Sequence, residues 1–249
     1  MFRSGHLYRE VLYVEHQLSL QQTATISQVS KVNDHLCRSK VLRLANEGKL
    51  YIPPTESRTL RIPMSFLVFQ LFIPENKPFK LQVTCTDSNY TKFTLEFTET
   101  QEVKVLEKTV LIPFHILQMD IWNNLCIDVI GILRNCFKTN IDYLETIKLF
   151  ANSRVRMIFA LKFPLKQNLK DYEQVLPTHC MLPEGLYTVQ VVNMEMLGRV
   201  LGFSKAEQTL IKSPNKRKKV QKRKYSGELR IYDKVIKAQL GPKLYRDCK

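Results

Sequence analysis

Apolar positions along the 249-residue chain change period from segment to segment, and each change marks a short element. Residues 79–86 alternate, with Leu81, Val83 and Cys85 on one side and Gln82, Thr84 and Thr86 on the other, which predicts a half-buried strand. Asp87, Ser88, Asn89 and Tyr90 supply turn chemistry, and Phe93, Leu95 and Phe97 alternating with Thr94 and Glu96 complete an antiparallel hairpin. Residues 66–73 are apolar at nearly every position between Pro63 and Pro74, the signature of a strand buried on both faces. Further short strands are predicted at 41–44, 103–106 and 110–112, with Glu47, Gly48 and Lys49 turning the chain into another at 50–52. Residues 1–14 fit either a short strand pair or a helical turn. Residues 19–39, rich in Gln, Ser and Thr, read as irregular connection with a strand near Ile26 and Val29.

Between 122 and 163 the period changes twice. Trp122, Leu125 and Ile127 suit a half-buried strand, and Val129, Ile130, Leu133 and Phe137 then recur at helical spacing. Lys138, Thr139 and Asn140 form a turn, and after a further strand Val155, Met157, Phe159 and Leu161 alternate with Arg154, Arg156, Ile158 and Ala160. That alternation predicts a strand with one apolar face. Strands at roughly ten-residue intervals without a fixed repeat predict a mainly β fold: an antiparallel β-sandwich or jelly-roll-like domain with one short helix. Trp122 is expected in the core, packing the helix against the sandwich. An exposed stacking aromatic is the alternative.

After Pro177 the texture changes. Residues 187–192 could form an edge strand, and Met194, Leu197, Val200 and Leu201 have helical spacing that Gly198 and Gly202 weaken, so this helix needs a surface to lie on. From 212 onward the composition is that of a disordered tail. The expected organisation is therefore a domain at 1–180, a linker with a short helix at 181–203, and a basic, largely disordered C-terminal extension at 204–249.

Charge sharpens this division. The formal net charge is +15. Residues 204–249 hold 15 Lys plus Arg against 4 Asp plus Glu, a net of +11, which leaves +4 for residues 1–203. A near-neutral domain with a basic tail points to an acidic partner or a nuclear import signal rather than to a nucleic-acid groove across the domain. Six cysteines lie far apart, mostly in apolar runs, without C-x-x-C or zinc-ligand spacing, and read as reduced core thiols. No secretory pattern opens the sequence, and its longest strongly apolar window falls far short of the ~20 residues that span a bilayer, so a soluble intracellular protein is expected.

The stretch from Trp122 to Phe163 resembles the cilia- and flagella-associated protein 20 domain family. Asn123, Thr139, Asn140, Glu145, Thr146, Ala151, Asn152, Arg154 and Arg156 stand where that family has its own residues, in a T-N…E-T turn-strand followed by an A-N-x-R-V-R hairpin. The resemblance extends over roughly 1–180, through Met1-Phe2, Gly5, Tyr51-Ile52-Pro53 and Phe66-Leu67-Val68. Two departures stand out: Trp122 is the only Trp, where the family has one near its start, and an extra residue sits between Asn140 and Glu145. The resemblance implies a non-enzymatic microtubule-wall module of axonemes, basal bodies and centrioles, with tubulin and neighbouring wall proteins as partners and the cilium, flagellum and cytoskeleton as its place in the cell.

Candidate chemistry is sparse. His6, His16, His35, His115 and His179 form no metal-binding pair, and no phosphate-cradling glycine loop or nucleophile elbow occurs. Asp120, Asp128 and Glu145 are expected to be solvated or paired with Arg154 or Arg156. No catalytic residue, metal or cofactor is therefore assigned, and neither a membrane nor a small-molecule substrate is expected. The expected partner-binding surface is the solvent face of the hairpin at Asn152, Arg154 and Arg156. Lys216, Arg217, Lys218, Lys219, Lys222, Arg223 and Lys224, seven bases in nine residues, are expected to bind a polyanion or to direct nuclear import. Ser213, followed by Pro214, has the form of a proline-directed phosphorylation site that would weaken this grip. Two rival functions follow: a nuclear nucleic-acid-associated factor acting through the tail, and, with little support, a glycan-binding jelly roll.

Overall fold

The hairpin predicted from strict alternation is built into a large sheet. The computed structural model describes residues 7–15, 24–55, 57–165, 176–182 and 188–201. Strands β5 (Lys80–Asp87) and β6 (Lys92–Thr98) pair antiparallel, with Leu81, Val83, Cys85, Phe93, Leu95 and Phe97 all turned into the core. The Asp87 carboxylate accepts from the Asn89 and Thr91 amides at 2.9 and 2.8 Å, which locks the turn. Strand β4 (Phe66–Phe72) is buried along nearly its whole length, as its composition predicts.

Around these run β1 (Tyr8–Tyr13), β2 (Thr25–Asp34), β3 (Ser39–Ile52), β7 (Lys104–Val105), β8 (Thr109–Pro113), β9 (Trp122–Asp128), β10 (Ile141–Phe150), β11 (Ser153–Leu161) and β12 (Thr188–Val192). The sheet order is β12-β9-β4-β11-β3-β10-β5-β6-β8-β7, with β1 added on β11 and β2 on β3. Most pairs are antiparallel, but β6–β8 and β12–β9 are parallel, so the fold is mainly β with a mixed, curled sheet rather than a purely antiparallel one. Residues 25–34, expected to be mostly irregular, form a ten-residue strand because β3 offers them a complete ladder. Residues 8–13, left open between strand and helix, form β1 on β11.

The curl has an identifiable origin. Strand β3 runs unbroken for 14 residues, and the predicted turn at Glu47, Gly48 and Lys49 is instead a bulge. Ser27 pairs with Lys49 and Val29 with Leu44, so Gln28 alone faces residues 45–48. Up to Leu44, β3 pairs with β11; from Lys49 it pairs with β10. The β10–β11 turn fits into the bulge, where the Ala151 amide donates to the Gly48 carbonyl at 2.8 Å and the Asn152 amide to that of Ala45 at 3.2 Å. A Cβ on Gly48 would meet the Ala45 nitrogen at 2.8 Å, so the closeness of this corner requires glycine. The sheet thereby bends into a first half, β12-β9-β4-β11, and a second half, β10-β5-β6-β8-β7, whose inner faces share one apolar core.

Helix α1 (Val129–Phe137) lies where the helical spacing places it and buries Val129, Ile130, Ile132, Leu133 and Cys136 in that core. The Asp128 carboxylate caps it by accepting from the Gly131 amide at 2.9 Å, and Lys138 ends it in the left-handed conformation. Strand β10 carries register shifts at Asp142 and Glu145, β-bulges in the same stretch as the extra residue. The region expected to be a linker, 181–203, holds β12 as an edge strand and α2 (Met194–Leu201), and Val192 and Leu197 reach the main core. The folded body therefore continues beyond residue 180.

Candidate functional site

Each half of the sheet has an outer face, and the residues expected to bind a partner lie on the first. On β11 the predicted alternation breaks. Val155 faces Leu71 and Met157 faces Gln70, so Arg156 is the extra residue of a bulge and the phase of the strand reverses there. Val155, Ile158 and Ala160 point to the shared core, whereas Met157, Phe159 and Leu161 join a second cluster on the outer face. Tyr13, Val68, Cys126, Phe163, Leu165, Leu176 and Cys180 complete that cluster, so residues on β1, at 163–165 and at 176–180 cover this face.

The cover is held by polar groups within it. Arg156 is only 6% exposed. Its guanidinium donates to Gln70 Oε1 at 2.5 Å, to Ser39 Oγ at 3.2 Å and to the His179 carbonyl at 2.9 Å, and it lies 5.6 Å from the Tyr13 ring centroid. Gln70 Nε2 in turn donates to Asn124 Oδ1 at 3.0 Å and to the Cys180 carbonyl at 2.5 Å. Arg154 donates to Asp34 Oδ2 at 2.8 Å and stacks over Phe72, while Asp34 Oδ1 accepts from the Leu36 and Cys37 amides and from Trp122 Nε1. Burial alone would raise the Asp34 carboxyl, but the bond from Arg154 and the two amides hold it below the usual range. Asn152 is buried in the turn and donates to the Pro78 carbonyl at 3.0 Å.

These contacts correct several expectations. Asn152 and Arg156 do not form a solvent face, since both are buried, and only Arg154 stays partly exposed. Trp122 is a core residue, but it packs with Cys37, Val41 and Leu182 on the outer face and not against α1. The acid that meets Arg154 is Asp34, on which sequence reasoning placed no weight. Its place at the end of a polar run, opening the β2–β3 turn, is the signal that could have marked it. Asp128 caps α1, Asp120 accepts from the Glu75 amide, and Glu145 accepts from Thr86 and Lys92, each at 2.7 Å.

The outer face of the second half is partly exposed, and among the described residues no apolar cluster covers it. It carries Lys49 and Tyr51 on β3, Lys148 and Phe150 on β10, and Lys80, Gln82 and Thr84 on β5. Glu96 accepts from Lys80 at 2.7 Å and from Gln82. At its corner end a cleft of about 390 Å³ is lined by Gln28, Asn46, Glu47, Gly48, Lys49 and Phe150, among others. Sequence reasoning missed this surface, because its lysines and aromatics are spread over three strands far apart in the chain.

Five described cysteines are buried thiols, and burial pushes Cys37, Cys136 and Cys180 up to about 11 and Cys126 to about 12, so they are not poised nucleophiles. Among the described residues no group of three or more His, Cys, Asp or Glu could hold a metal ion, and no helix is long and apolar enough to cross a membrane. Ser213 and the basic residues Lys216, Arg217, Lys218, Lys219, Lys222, Arg223 and Lys224 lie outside the described residues.

The molecule is thus a mainly β module built on a curled sheet, with one face sealed by a hydrogen-bonded cover. A model of the CFA20 domain matches residues 2–176, and the chain belongs to the CFA20 domain family, whose name is that of a cilia- and flagella-associated protein. The match ends before β12 and α2. Among solved structures, one of PfGH50B and one of an agarase, AgWH50C, are each 9% identical with a TM-score of 0.29, covering 65% and 64% of this chain. The chain spans only about a quarter of their length, 24% and 25%, and a likeness of that size carries no chemistry across.

Proposed function

We propose that this protein is a non-enzymatic structural component of ciliary or flagellar axonemes or of centrioles, docking its folded β domain on the microtubule wall. Its partners are tubulin or neighbouring wall proteins, and its basic tail adds electrostatic hold. Membership of the CFA20 domain family is the observation that carries this function. The structure is compatible with it, because the described buried carboxylates and arginines are engaged in capping, bracing and covering the sheet. The test is co-sedimentation with stabilised microtubules at physiological salt, using the full chain with the seven basic residues between 216 and 224 replaced by Gln. Saturable pelleting supports a wall protein whose tail is auxiliary. A protein that stays in solution, while the unaltered chain pellets and is released by salt, removes the domain from the lattice.

The seven-base run favours a second function, that of a nuclear factor associated with nucleic acid. A fusion of residues 212–226 to an inert reporter should then enter nuclei and bind DNA non-specifically. A reporter that remains cytoplasmic removes this alternative.

A further inference from the structure

The open face of the second half alternates cations and aromatic rings in two directions. Across β3 and β10, Lys49 faces Phe150 and Tyr51 faces Lys148, and along each strand a lysine and an aromatic are two residues apart on the same side. The result is a checkerboard, which β5 continues by setting Lys80 opposite Phe150. The Tyr51 and Phe150 rings meet edge to face at 5.7 Å, with Lys148 Nζ 5.4 Å from the Tyr51 centroid and Lys80 Nζ 5.9 Å from that of Phe150. Cation–π contact of this kind keeps the ammonium groups on the surface above the rings. Lys80 is neutralised by Glu96, whereas Lys49 and Lys148 form no ion pair among the described residues.

We propose that this checkerboard is the docking surface for an extended segment of a partner protein rich in Glu or Asp. The inference rests on the docking function above and adds where the partner binds and what its chemistry is. Lys49 and Lys148 lie on a diagonal of adjacent strands, ~7–8 Å apart at the backbone. Carboxylates on the same side of an extended chain repeat at a similar distance, ~6.8 Å. The two rings give the chain between them an apolar bed that requires no particular sequence. Charge disfavours the nearer occupants: the chain's own tail carries +11, and a second copy docked through the same face would bring the same lysines against these. Glu47, held by Gln28 at 3.1 Å at the rim of the cleft, sets one end by repelling a further carboxylate.

The test uses the full chain and a fluorescent peptide of repeating Glu-Glu-Gly at physiological ionic strength. Zero-length carbodiimide cross-linking followed by mass spectrometry should place the peptide on Lys49, Lys148 and Lys80, and K49E/K148E should weaken binding roughly tenfold, since each exposed pair contributes up to about fivefold. The tail is identical in both proteins and gives a constant background. Cross-links confined to lysines beyond residue 203, with equal affinity for the two proteins, overturn the inference. Mapping the unaltered chain settles the matter even if K49E/K148E folds poorly. Peptide bound on the checkerboard of a protein that does not pellet with microtubules would uphold this surface and sink the wall function. Undiminished pelleting of K49E/K148E together with tail-only cross-links would do the reverse.

Discussion

The two outer faces of this sheet obey the same alternation and end in opposite states. On the first half, Val68, Met157, Phe159 and Leu161 make a face too apolar to leave in water, and Phe163, Leu165, Leu176 and Cys180 pack over it. On the second half, Lys49, Tyr51, Lys148, Phe150 and Lys80 make a face that is soluble without a cover. The consequence for charged residues is instructive. Arg156 sits on the apolar side and is consumed in holding the cover, whereas Lys148 sits on the polar side with no carboxylate among the described residues to neutralise it. A basic residue near a hairpin is thus a poor guide to a docking surface until its half of the sheet is known.

The contrast predicts a graded series of effects. The sharpest break should come from Asp34→Ala, which leaves Arg154, the Trp122 indole N–H and two amides without their acceptor, at a cost of about 3 kcal/mol in chemical denaturation. Arg156→Ala should cost about 2–3 kcal/mol and raise hydrogen exchange in residues 178–182 first, since the His179 carbonyl and Gln70 lose their donor. If exchange there stays at the level of the unaltered protein, Arg156 does not hold the cover. Gly131→Ala brings a Cβ within 2.1 Å of Asp128 Oδ2, so it should displace the cap and lower stability by about 1–2 kcal/mol. Lys49→Glu and Lys148→Glu should lower the unfolding free energy in chemical denaturation least, by no more than about 0.5 kcal/mol, and a larger loss would show that the open face is structural.

Acid offers a further means of separating the faces. The Asp34 and Glu15 carboxyls both titrate below their ordinary values in the folded protein. A depressed folded pKa contributes stability that is full above the unfolded pKa, near 4, and is lost as pH falls through the lower folded value. Stability should therefore fall below about pH 4, and Asp34→Asn should flatten that fall while lowering the plateau at neutral pH. An unchanged acid limb would mean that the Arg154 pair contributes nothing.

Much of the fold was legible because it is local. The β5–β6 hairpin follows from a period of two with turn residues between, the β4 strand from unbroken apolarity between prolines, and α1 from helical spacing behind Asp128. The same holds for the edge strand and short helix after residue 187. The division between covered and open faces was not legible: Asn152 and Arg156 looked like exposed hairpin residues, and nothing local tells that a bulge at Arg156 reverses the phase of β11.

By itself the sequence determined the element types, the family and the separation of a near-neutral domain from a basic tail, all of which depend on residues close together in the chain. The tertiary structure alone decided which face each strand residue meets and which face stays open. It did so because register, bulges and cover are set by hydrogen bonds between residues far apart in sequence, such as Arg156 with Gln70 and Gly48 with Ala151.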